Sequence, residues 1–190
     1  MMTPLVVTVI ARDRPGLVEL LSRTVADHGG NWLESKMARL AGRFGGILLV
    51  SVPKANTERL TRALRELETQ GLRVMFDEGI AEEPVGRHRV LELTLVGQDR
   101  PGIVRDVSQT LARRGIGIDE LNTEFISGAW CGENIFEAAA TLRVPLEIST
   151  DEIRRALEKL SNELVADIAL GEPLQPIASR ERAAKPHPSK

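Results

Sequence analysis

The chain has 190 residues, 42% apolar and 27% charged, a balance that excludes a wholly disordered protein. Its length fits two compact units of about 80 residues, each able to bury a modest core. Residues 1–84 carry 11 basic and 11 acidic side chains, residues 85–172 carry 10 and 15, and residues 173–190 carry 4 and 1, so neither long segment has the basic excess that phosphate-backbone binding requires and no direct nucleic-acid binding is expected.

In chain order, Leu5–Ala11 alternates apolar and β-branched residues and predicts a mostly buried strand. Gly16–His28 predicts a helix, with Leu17, Leu21 and Val25 on one face and Val18 beside them. Pro15 suits a first helical turn, and Asp13 is placed to cap exposed N–H groups. Gly29 and Gly30 end that helix, with His28 favourable beside its C-terminal dipole. Asn31–Leu40 and Gly46–Val52 predict two strands joined by a turn over Ala41–Gly46. Thr57–Gln70 predicts a second helix with Leu60, Ala63, Leu64 and Leu67 inward, and Leu72–Phe76 a closing strand. The order is β-α-β-β-α-β.

The chain then repeats itself. Val7–Val18 recurs as Leu93–Val104, and both copies hold Asp-Arg-Pro-Gly: Asp13, Arg14, Pro15 and Gly16 first, then Asp99, Arg100, Pro101 and Gly102, 86 positions on. By Pro53 and Pro145 the offset has grown to 92, which places six extra residues around Ser127–Glu133, in a loop. Strands are predicted over Leu91–Val96, Ile116–Phe125, Ile135–Val144 and Val165–Leu170, with a helix over Gly102–Arg114. Ser149-Thr-Asp-Glu152 reads as a capping box that starts a helix bearing Ile153, Ala156, Leu157, Leu160 and Leu164. The result is an α+β protein of two tandem ferredoxin-like units with antiparallel sheets. The domains expected are residues 3–80 and 90–172, a linker at 81–89, and a disordered tail at 173–190.

The recurring turn sits between a strand and the helix it feeds. A glycine there lets a ligand approach the backbone, and the N–H groups of Gly16, Leu17 and Val18 at a helix N-terminus suit a carboxylate. Asp13 can answer an ammonium group, so an α-amino acid fits the turn by its two charged ends. The plainer reading makes Asp13 and Asp99 helix caps only.

This β-α-β-β-α-β order with an Asp-Arg-Pro-Gly turn resembles the ACT domain, a small regulatory module that binds amino acids. The likeness covers residues 3–172. Two such modules in tandem, with no catalytic domain attached and a short tail, resemble the glycine cleavage system transcriptional repressor family. The resemblance implies side-by-side pairing of sheets, with ligand between the first turn of one domain and the start of the second strand of its neighbour, where an asparagine often contacts it. Asp13, Arg14, Pro15, Gly16, Leu17 and Asn31 match in the first repeat; Asp99, Gly102 and Ile103 match in the second, where Gly117 replaces the asparagine. It further implies a glycine or serine ligand, a regulatory protein partner, a homodimer, and repression through a DNA-binding activator rather than by DNA contact.

The remaining candidates point elsewhere. Cys131, the single cysteine, has no disulfide partner and no histidine at motif spacing, and it reads as an ordinary loop residue beside Trp130. Trp32 opens a strand and reads as core or interface. Neither a Walker A sequence nor a zinc-type Cys/His pattern occurs, so no catalytic group, metal or cofactor is expected. The start, Met-Met-Thr-Pro, shows no basic segment followed by an apolar one, and no apolar run nears the ~20 residues of a membrane span, so a cytoplasmic location is expected. The competing function is a ligand-free oligomerisation scaffold, in which sheet edges build dimers and the turns are structural only.

Overall fold

The computed structural model describes residues 1–78, 87–127 and 134–173. The chain divides into two units, Met1–Glu83 and Pro84–Lys190. The first runs β1 (Met2–Arg12), α1 (Leu17–Asp27), β2 (Asn31–Leu40), β3 (Arg43–Pro53), α2 (Thr57–Glu66) and β4 (Leu72–Glu78). The second runs β5 (His88–Gln98), α3 (Ile103–Ala112), β6 (Gly117–Ser127), β7 (Asn134–Pro145), α4 (Thr150–Leu164) and β8 (Ala166–Gly171). Each holds a four-stranded antiparallel sheet, ordered β2-β3-β1-β4 and β6-β7-β5-β8, with both helices on one face.

Strand alternation sets the cores. Leu5, Val7, Val9 and Ala11 of β1 point into the first core, against Leu17, Leu21 and Val25 of α1 and Leu60 and Leu64 of α2. Leu91, Leu93 and Leu95 of β5 do the same in the second, against Ile103 and Leu111 of α3 and the buried stripe Ile153, Leu157, Leu160 and Leu164 of α4. No polar or charged side chain is buried among the described residues, as expected where the apolar set alone faces inward. Val18 departs from the sequence reading: it lies on the outer side of α1, 48% exposed.

Three boundaries also differ. The first hairpin turn is only Ala41 and Gly42, at φ 47° and 72°, a primed two-residue turn matched to strand twist. Gly45 and Gly46 belong to β3, because a Cβ on Gly46 would stand 2.3 Å from the Lys36 carbonyl on β2. The predicted second helix ends at Glu66 and finishes as a 3₁₀ turn over Leu67–Gln70, closed by Gly71 at φ 82°. Val165 is not in a strand but adopts φ 52° as the C-cap of α4.

The capping box is present in its main limb: the Glu152 N–H donates to Ser149 Oγ at 3.2 Å. The 81–89 linker of the sequence reading has residues 81–86 outside the described residues, and its last two residues, His88 and Arg89, begin β5. Cys131 and Trp130 lie outside the described residues, as does the tail beyond Pro173.

Candidate functional site

The two Asp-Arg-Pro-Gly turns leave the ends of β1 and β5 and enter α1 and α3. Gly16 and Gly102 are the N-caps, at φ 89° and 99°, a left-handed conformation that favours glycine. Each glycine carbonyl accepts the first helical bond, from Leu20 at 2.9 Å and from Asp106 at 2.9 Å. No side chain caps either helix. This corrects the capping role expected for Asp13 and Asp99. The aspartates precede the N-cap by three residues, and their backbones are held elsewhere. The Asp13 N–H donates to the Gly42 carbonyl at 3.0 Å, and the Asp99 N–H to the Asn134 carbonyl at 2.8 Å. Each turn is thus tied to the adjoining hairpin, and the N–H groups of the first helical turn keep no side-chain acceptor among the described residues.

Around the first turn, Asp13 Oδ2 lies 3.5 Å from Arg39 Nη1 on β2, and Arg14 Nη2 donates to the Gln70 carbonyl at 3.4 Å. A Cβ on Gly16 would meet nothing within 4 Å, so the approach to this helix end is open. The second turn is more crowded. Arg105 Nη2 lies 2.8 Å from Asp106 Oδ1, Arg100 Nη2 lies 3.4 Å from Asp106 Oδ2, and a Cβ on Gly102 would stand 2.9 Å from the Arg105 guanidinium. Sequence reasoning missed Arg39, Gly42, Arg105 and Asp106. Gly42 carried a turn signal; Arg39 carried none, since only strand pairing brings it to Asp13.

Asn31 does not join the turn of its own unit. It pairs with Ser51, which is level with Pro4 at the start of β1. Arg12, just before the turn, is level with Arg43 and Leu40. Eight residues at about 3.3 Å each place Asn31 roughly 26 Å away, at the opposite end of the sheet. In the second unit Gly117 takes this place, and the Arg143 guanidinium lies against it, 3.3 Å from where a Cβ would be, while pairing with Asp119 at 3.4 Å.

A model of the ACT domain matches residues 3–77. A UPF0237 protein of Methanopyrus kandleri is 34% identical over 91 residues, which are 47% of this chain and the whole of that protein. The chain belongs to the ACT domain family. The tandem form has solved counterparts. A protein of unknown function from Galdieria sulphuraria matches with a TM-score of 0.82 at 29% identity, over 92% of this chain and 100% of that one. A structure assigned provisionally as a glycine cleavage system transcriptional repressor matches with a TM-score of 0.68 at 24% identity, over 90% and 97%; at that identity it speaks to the fold. The first unit thus matches the ACT domain by its sequence, and both units share the fold of these tandem structures. Among the described residues, no helix is long and apolar enough to cross a membrane, and no group of three His, Cys, Asp or Glu side chains is placed to hold a metal ion.

Proposed function

We propose that this ACT protein is a non-catalytic amino-acid sensor that regulates transcription through a partner protein, as a glycine cleavage repressor does. The observation that carries the reading is the Gly16 turn: a left-handed glycine N-cap with no side-chain cap and open approach. The N–H groups of Leu17 and Val18 take the ligand carboxylate. Asp13, 31% exposed at its side chain, answers the ammonium group.

The register supports a site completed by a second ACT unit. β2 is an edge strand with its outer side unpaired. An antiparallel match of two such edges brings the Asn31 end of one strand beside the Leu40 end of the other. That end carries the turn, and Arg39 already reaches Asp13 from it. Asn31 of one unit then serves the turn of its neighbour. Glycine or serine is the ligand class, small enough to sit between a backbone turn and a strand. Ligand that prefers the paired arrangement shifts the equilibrium toward it, and with it the contacts offered to a regulatory partner.

The test is thermal melting against individual amino acids at about millimolar concentration, glycine and serine first. A ligand at ~100 times its dissociation constant adds about 2.7 kcal/mol of stability. A melting shift with one amino acid, absent in Asp13→Ala, supports the sensor. No shift with any amino acid returns the turns to the scaffold reading. Tight, salt-dependent binding of the isolated protein to DNA overturns indirect action.

A further inference from the structure

Among the described residues, each sheet buries one face under the helices of its own unit and leaves its other face bare of them, and these two bare faces have opposite character. On the first, the side chains alternate with the core set. Its central rows hold Ile47, Thr8 and Met75, then Gly45, Ile10 and Arg73. Ile10, Ile47 and Met75 are 50%, 54% and 68% exposed. Arg12 and Arg43 stand opposite each other at one end. With Lys36 and Arg73 they outnumber the acidic Glu34 and Asp77 on the same face.

The bare face of the second sheet is acidic: Glu92, Glu120, Glu124, Glu137 and Asp167 outnumber Arg143 on it. Glu124 of β6 stands directly opposite Glu137 of β7, which stands opposite Val96 of β5, opposite Asp167 of β8. Glu120 and Glu92 flank Thr141 four residues along, and Thr141 Oγ1 donates to Glu92 Oε1 at 3.1 Å. Between these rows lie only small side chains, Asn122, Ala139, Thr94 and Ala169. Asn122, Ala139 and Thr94 line a hollow of about 300 Å³ together with Glu124, Glu137 and Val96. Like charges directly across strands destabilise an isolated sheet. An opposing basic surface reverses that sign.

We propose that the bare face of the first sheet docks onto the bare face of the second sheet of another copy of this chain. The large apolar side chains Ile10, Ile47 and Met75 enter the hollow floored by alanine and threonine. Arg12, Arg43 and Arg73 meet Glu124, Glu137 and Asp167. Stacked sheets lie about 10 Å apart, a spacing such side chains fill. One four-stranded footprint is about 15 Å by 20 Å, near 300 Å². A single contact is small against the roughly 800 Å² per partner of a stable complex. Each chain carries one face of each kind, so two copies hold two complementary face pairs. The inference stands on the faces alone, independent of the amino-acid site.

The experiment is sedimentation velocity of the full chain at 0.1 M and 0.5 M salt. A dimer that weakens at the higher salt is expected. Reversing the first face (Arg12→Glu with Arg73→Glu) or the second (Glu124→Lys with Glu137→Lys) raises the dimer dissociation constant at least ten-fold. An equimolar mixture of the two reversed chains restores it, because each reversed face then meets its opposite charge on the other chain. Circular dichroism reports whether each variant is folded, and the salt dependence of the unmodified chain stands if one is not. A monomer at all concentrations overturns the proposal. So does salt-dependent association that neither reversal weakens; the β2 edge pairing of the proposed site involves neither face and is not changed by the reversals. Failure of the mixture to associate overturns it as well.

Discussion

The backbone of Asp13 is bonded to the hairpin residue Gly42, its N–H 3.0 Å from the Gly42 carbonyl. That bond, repeated between Asp99 and Asn134 at 2.8 Å, fastens the strand-to-helix turn to the neighbouring hairpin. It leaves the aspartate side chain and the helix N–H groups unspent on capping.

Gly16→Ala should cost stability through the backbone alone. Gly16 sits at φ 89° with nothing within 4 Å of an added Cβ. A left-handed non-glycine residue costs about 1–2 kcal/mol, and a unit of this size loses several degrees of melting temperature for each. Thermal melting checks this; an unchanged melting temperature contradicts the assigned turn.

Asp13→Asn should leave stability within about 0.5 kcal/mol, since the pair with Arg39 spans 3.5 Å and Arg39 is 73% exposed. Urea denaturation measures it. A small effect means that any loss of ligand response in this variant reports on the site and not on folding.

Gly46→Ala should be more damaging than Gly16→Ala. The added Cβ meets backbone, the Lys36 carbonyl at 2.3 Å and Met37 Cα at 2.8 Å, and neither can swing away. Overpacking of this kind costs about 1–3 kcal/mol, occasionally more. Melting of the two variants side by side ranks them; equal effects would count against the β2–β3 register.

Ser149→Ala removes the acceptor for the Glu152 N–H and should cost about 1 kcal/mol, whereas Ser149→Asp should retain most of the stability. Denaturant melts of the three proteins decide this.

The fold was legible because its signals are local. Leu17, Leu21 and Val25 announce a helix within three turns, and all three are buried. The two copies of Asp-Arg-Pro-Gly announce duplication without any contact being known. Boundaries were less legible. Ala41–Gly46 looked like one glycine-rich turn, but Gly45 and Gly46 are strand residues where β1 and β2 press too close for a Cβ to fit freely.

The site was legible in its parts but not in its assembly. The turn residues sit together, whereas Asn31 sits at the far end of the same sheet. Its separation from Asp13 depends on which strand pairs with which, and in what register. Arg39 became a partner of Asp13 for the same reason.

The sequence alone therefore determined the duplication, the element order and the apolar faces, since each is written within a few neighbouring residues. Only the tertiary structure decided that Asp13 is not a cap, that Asn31 lies at the far end of its sheet from the turn, and that the outer sheet faces differ in charge, one with a basic excess and the other acidic. Those are consequences of pairing between strands distant in the chain, where a shift of one residue would exchange the inward and outward sets.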